Sequence, residues 1–437
     1  MELLQICKAY LLPKFHRVVE FLVSQGLTMA GNLLYGFLCI RLLPVADYAK
    51  FVVVFAIQGS LVVLLDVGIT GSIVPLVGER IHDRKLIADY VASLRRLTYV
   101  LYAIMAPIAI FGLPWMVRNR HWSWQIVAAM IAILLVSTWF VRISAAYGAV
   151  LIVRRDRKRW YRAQMVSSFG TLALLLIFFA FHWLSAFAAI LINVSGIVYV
   201  AISYFYRARH LLGVEGVPSS TKRKAIIHLT LPSAPGVIFY AIQGQLAVFL
   251  ITIFGRTAAV ASVGALGRLG QIFALFSQMN PLLVEPYFAR LPRARLKTDY
   301  LAAIALVSGF GFGVALLARI FPGAFLWVLG TKYAHLRFEV FQVMLAGAIG
   351  LFNGLMASMN GSRRFVYYWQ NVSMIVFTLL VQILFMWKGN LGTVRGVLWF
   401  NIVSSVPAFI ICILVAIYGF ARGGRRIAGL DSCPEQS

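Results

Sequence analysis

Twelve long apolar runs, separated by short basic stretches, constrain this chain more than any other feature. They cover roughly 18–43, 48–78, 97–117, 124–152, 163–183, 186–206, 229–255, 257–288, 299–328, 336–360, 366–387 and 394–420. A helix crosses a hydrocarbon core of about 30 Å with about 20 apolar residues, so each run reads as a membrane span. Composition agrees: of 437 residues, 61% are hydrophobic and only 12% charged. A soluble fold could not hide that much apolar surface. The same figures exclude a disordered chain, a disulfide scaffold and a soluble enzyme on a tether.

The charge balance sets topology. Lys and Arg number 40, Asp and Glu 14, for a formal charge of +26. The bases cluster between spans rather than on one soluble face, so they indicate orientation and not nucleic-acid binding. With the N-terminus inside, 28 bases fall in inside segments, 9 at the outside and 3 within spans. That bias predicts twelve spans with both termini cytoplasmic. All outside loops are short.

The longest inside loop, around 211–228, contains Gly213, Gly216, Pro218, Ser219 and Ser220 and reads as a flexible linker. It divides the chain into a six-helix lobe over 1–210, the linker, and a six-helix lobe over 229–437. A faint echo between the runs starting at Arg41 and Arg256 supports an internal repeat. Residues 1–17 read either as an interfacial amphipathic helix or as a leader before the first span.

No Walker A, HExxH or GxSxG motif occurs, and no cofactor is expected. The glycine-rich runs at Ser308–Gly313 and Gly264–Gly270 sit in spans, where small residues let helices approach closely. Cys7, Cys39, Cys412 and Cys433 form no CxxC pair, so free thiols and no metal site are expected.

Charges inside the bilayer carry the functional information, because each is costly unless it faces a cavity or a partner. Asp66 lies 18 residues after Tyr48, and Arg142 lies 18 after Trp124. Both therefore sit about 27 Å from the outer end of their helices and could pair. Such a pair either fixes two helices or serves as a charge relay or substrate site. Arg268 lies 12 residues after Arg256 in the outer half of its span, and its planar fork suits a diphosphate. Glu20, Arg41, Glu285 and Arg319 read as interfacial or near span ends. Ser24, Gln25, Thr28, Asn32, Gln58, Gln243, Gln245, Gln271, Gln278 and Asn280 crowd four spans. They read as interhelical bonds or, by their density, as the lining of a wet central cavity.

The run Arg41–Ile69 resembles the start of the polysaccharide exporter and O-antigen flippase family. That family belongs to the multidrug/oligosaccharidyl-lipid/polysaccharide (MOP) flippase superfamily. The matching residues are Arg41, Leu43, Pro44, Tyr48 and Asp66-Val67-Gly68, with Ala49 where a Gly is usual. Leu231–Gly236 and Gly264–Gly270 resemble the family's seventh and eighth segments, with Ala265 where a Tyr is usual. The resemblance implies an all-α, two-lobed, MATE-like V-shaped bundle working by ion-coupled alternating access. Its cargo would be a polyprenyl-diphosphate-linked oligosaccharide for O-antigen, capsule or exopolysaccharide. It also implies a bacterial inner membrane, with the polymerase and chain-length machinery as partners beside membrane lipids. Arg142 and Arg268 are the substrate-binding candidates, and Asp66 the ion-coupling or charge-pair candidate. A small-molecule or drug exporter of the same superfamily is the alternative. A membrane polysaccharide polymerase or ligase is a third reading, weakened by the short outside loops.

Overall fold

A computed structural model describes residues 23–422, apart from Glu79, His121, Ser233, Gln278, residues 281–283, Arg364 and Val366. The expected interfacial segment at 1–17, Glu20, Cys7, Cys433 and both chain termini lie outside the described residues. The described chain is helical with no strand. Among the described residues, eleven helices are long and apolar enough to cross a membrane, or twelve if the bent pair Ser220–Thr230 and Ala234–Gln243 forms one span. The all-α polytopic architecture follows directly from the twelve apolar runs. Large apolar side chains such as Trp387, Leu306, Phe111 and Trp327 are exposed, as a lipid-facing surface requires.

The helices form two compact units, residues 1–264 and 265–437. The first contains α1 (Val23–Leu42), α2 (Val45–Asp66), the short α3 (Ile73–Val77), α4 (Arg84–Val117) and α5 (Trp124–Val153). It continues through α6 (Arg157–Ala180), α7 (Ala186–Leu212), α8 (Ser220–Thr230), α9 (Ala234–Gln243), α10 (Leu246–Phe254) and the first part of α11 (Thr257–Ser277). Helix α5 is central and packs on α7, α4, α2 and α6. The second unit holds the rest of α11, α12 (Glu285–Arg290), α13 (Arg293–Ile320), α14 (Pro322–Leu329), α15 (Arg337–Ser362), α16 (Tyr368–Lys388) and α17 (Val394–Arg422). Here α15 is central, flanked by α13 and α17.

Several apolar runs are interrupted. The run 229–255 holds the end of α8, then α9 and α10, parted after Thr230 and at Gly244–Gln245, and 299–328 is two helices parted at Phe321, before Pro322 at the first position of α14. Proline has no N–H to continue the preceding helix but fits the first turn of the next. The run 257–288 is helical in α11 only to Ser277 and resumes at α12. Hydropathy cannot see these breaks, because both sides of each are equally apolar.

Polar residues on α1 bond to the neighbouring helix. Ser168 on α6 donates to the Thr28 carbonyl and to Asn32 Oδ1, and Gln25 donates to Gln164. Those α1 positions therefore serve as interhelical contacts, the first of the two readings the sequence allows. Small residues give the expected close approaches. Gly264 lies against Val52, and a Cβ at Gly311 would come within 3.2 Å of Ala348. In the second unit a buried relay holds three helices: Tyr300 donates to Asn360 Oδ1 at 2.6 Å, and Asn360 donates to the Cys412 carbonyl at 3.2 Å.

Helix α4 begins 13 residues before its apolar run. Asp83 caps it by accepting from the Leu86 amide at 2.9 Å. Its charged first turns hold residues 215–222 instead of leaving them as a flexible linker. Asp89 accepts from the Val217 amide at 2.8 Å and from Lys222 Nζ at 2.6 Å, while Ser93 accepts from the Ser219 amide. Lys85 donates to the Glu215 carbonyl. We predict that Asp89→Ala releases this segment. Trypsin should then cut after Lys222, Arg223 or Lys224 about tenfold faster in detergent, since two charge-assisted bonds are lost. An unchanged cleavage rate would show that Asp89 is not what holds the segment.

Candidate functional site

The first unit concentrates its buried charge at one helix break. Helix α2 ends at Asp66, where Val67 adopts φ 43° and Gly68 φ 83°. Glycine enters this left-handed region freely, but a β-branched valine there is strained by about 1–3 kcal/mol. The Asp-x-Gly triplet is therefore a tight turn that stops α2 and brings Thr70 back beside the carboxylate.

One oxygen of Asp66 carries the site. Oδ1 accepts from Arg142 Nη1 at 2.8 Å, from Thr70 Oγ1 at 2.5 Å and from the Thr70 amide at 3.2 Å. Arg142 reaches across from α5, and its Nη2 donates to Thr70 Oγ1 at 2.8 Å. The guanidinium thus grips a carboxylate with one arm and a hydroxyl with the other, and that hydroxyl donates its own hydrogen bond to the same carboxylate. Arg142 is 2% exposed and Asp66 32% exposed in their side chains. Two groups remain open. Arg142 Nε is buried without a partner, and Asp66 Oδ2 has no hydrogen-bond partner among the described residues. A network satisfied on one side only is easily displaced by a better partner.

The other sequence-derived residues fall elsewhere. Arg268 is half-buried on α11 in the second unit, with Nη1 3.3 Å from Gln271 Oε1 one turn on. Arg41 is exposed at the end of α1, and Pro44 supplies the extended residue before α2. Tyr48 is fully buried and stacks on Phe51 at 5.9 Å. These three shape the α1–α2 turn. Glu285 accepts from Ser358, and Arg319 lies exposed over the Phe338 ring at 5.8 Å. Thr70 is a full member of the charged site that sequence reasoning passed over. Its only signal was a hydroxyl four residues after Asp66. Groups of three or more metal-ligating side chains are absent among the described residues.

Comparison with solved structures sets this geometry in a known frame. The chain superposes on an inward-facing multidrug resistance MATE family transporter of the MOP superfamily with a TM-score of 0.68. The match covers 90% of this chain and 94% of that one, at 16% identity. The fold is that of the MATE transporters. An outward-facing MATE family transporter of the MOP superfamily gives a TM-score of 0.58 at 17% identity, covering 92% and 93% of the two chains. A MOP superfamily transporter from Pyrococcus furiosus, described as having a binding pocket of reverse polarity that suggests a different function, also gives 0.58 at 17% identity, covering 92% and 94%. No family model matches the chain, and no curated protein matches it.

On this MATE fold, the Asp66–Arg142 pair makes a strong energetic prediction. Asp66→Ala leaves a buried guanidinium without its counter-charge, which typically costs about 3–5 kcal/mol. Thermal unfolding in detergent should show a large loss. Adding Arg142→Met to that variant should restore more than half of it, because the uncompensated charge goes too. Additive losses in the double variant would show that the two groups do not act as a pair.

Proposed function

We propose that this chain is a membrane transporter of alternating access. In this reading it moves a polyprenyl-diphosphate-linked oligosaccharide from the inner to the outer leaflet for O-antigen, capsule or exopolysaccharide assembly. The observation that carries the reading is the state of the acids. Each carboxylate among the described residues already has a partner. Asp47, Asp66, Asp89, Asp156, Glu215 and Glu339 are in ion pairs. Asp83 caps α4, Glu285 accepts from Ser358 and Asp299 accepts from Tyr287. Arg142, Arg268 and Arg319 fall within spans, whereas Asp66 is the acid that lies well inside one. A chain with engaged acids and surplus guanidinium groups suits an anionic cargo better than an organic cation.

Arg268 is the first diphosphate ligand in this reading. Arg142 is the second, available to an anion only when Asp66 releases it. Asp66 is the coupling site: a proton or cation arriving at its open Oδ2 weakens the hold on Arg142, so ion and cargo occupancy become linked. Residues 1–210 would rock against residues 229–437 during the cycle. The setting would be a bacterial inner membrane with cytoplasmic termini, close to the polysaccharide polymerase and chain-length machinery.

The test is made in a strain lacking this gene. Complete lipid-linked repeat units should accumulate on the cytoplasmic leaflet, and the intact gene should restore export. Arg268→Ala should abolish that rescue at normal protein abundance. Full export by this variant would remove Arg268 from the site. Unchanged lipid-linked sugars combined with altered drug susceptibility would favour a small-molecule exporter instead.

A further inference from the structure

A second basic site, sharing no residue with the Asp66 turn, lies between α6 and α7. The first turns of α6 and the last turns of α7 enclose an open groove of about 550 Å³. Leu151, Ala163 and Tyr199 line its apolar part, and Arg159, Arg162, Arg207 and His210 its basic end. Arg207 is already neutralised by Asp156, with Nε 2.5 Å from Oδ2. Arg159 and Arg162 are exposed and have no partner among the described residues. Two free guanidiniums three residues apart share one helix face and can converge on a single phosphate.

The surroundings distinguish this groove from a simple anion site. Val166 and Phe169, exposed by 45% and 42%, continue the Arg159–Arg162 face along α6. From Arg159 to Phe169 the helix rises about 15 Å, roughly the hydrocarbon depth of one leaflet. Tyr199 and Tyr206 stand exposed seven residues apart on the facing helix. The basic groove thus adjoins an exposed apolar strip of α6 that runs on to Phe169, a pairing that suits the headgroup and chain of a phospholipid.

We propose that this groove binds an anionic glycerophospholipid of the surrounding bilayer, with its phosphate on Arg159 and Arg162 and one acyl chain along Val166 and Phe169. Basic pockets between transmembrane helices commonly take such headgroups. The role is separate from the proposed cargo and stands whatever the chain transports.

The test is native mass spectrometry of the full chain in neutral detergent, titrated with phosphatidylglycerol or phosphatidylcholine. The wild-type protein should bind phosphatidylglycerol saturably and at least about tenfold more tightly, given two phosphate-facing arginines. R159A/R162A should reduce that binding to the phosphatidylcholine level, while R290A/K297A in the second unit should leave it unchanged. R162E provides a second variant should the double one be unstable. Equal binding of the two lipids by wild-type protein would overturn the proposal. So would equal losses in both double variants. Displacement of phosphatidylglycerol by excess inorganic phosphate would show a free-anion site and overturn the lipid assignment.

Discussion

Hydrocarbon offers no hydrogen bonds, so every polar group this chain carries into the membrane must find its partner within the protein. That constraint explains where the described polar residues meet. Ser168 ties α6 to two groups of α1, Asn360 ties α15 to Tyr300 and to the Cys412 carbonyl, and Asn353 reaches the Ser405 carbonyl. The Asp66–Arg142–Thr70 ring is the charged form of the same rule, met with one donor and one acceptor left over. The strained backbone at Val67 is tolerated because the ring holds both sides of the turn.

The spans were legible because hydropathy and length report the same physical quantity, transfer into lipid. The equal spacing of Asp66 and Arg142 from their helix starts left room for the two charges to pair, and the structure joins them at 2.8 Å. What the sequence hid was anything decided by direction. Gly244 and Phe321 mark breaks inside uniformly apolar runs, where neither composition nor period changes. Thr70 is an ordinary hydroxyl until the left-handed turn folds it onto the carboxylate. Gly213, Gly216 and Pro218 do signal a loop, but nothing in them tells that Asp89 and Ser93 hold it. Arg159 and Arg162 were visible only as topology-setting charges, since their lack of a partner is a property of the folded surface.

Fold and cargo rest on different kinds of observation. Helix count and close superposition on transporters of known structure describe the scaffold, which many chemistries share. The proposed cargo rests instead on side chains, on acids that are already engaged and on guanidiniums within the spans. Arg142 illustrates the difference. Its depth was readable from numbering, yet its availability to an anion depends on a carboxylate that only the folded turn brings to it.

Helix α4 has a mechanical consequence of its own. At 34 residues it is about 51 Å long, against a hydrocarbon thickness of about 30 Å. The excess is concentrated in the charged turns that grip residues 215–222. Pro107 and Pro114 allow α4 to bend on the far side of those turns, but its first 13 residues carry no proline, so this stretch of about 20 Å swings its tip by about 3.5 Å for each 10° of tilt. The α7–α8 connection rides on that tip, so a change in bilayer thickness, or any step that tilts α4, is transmitted to it as a displacement.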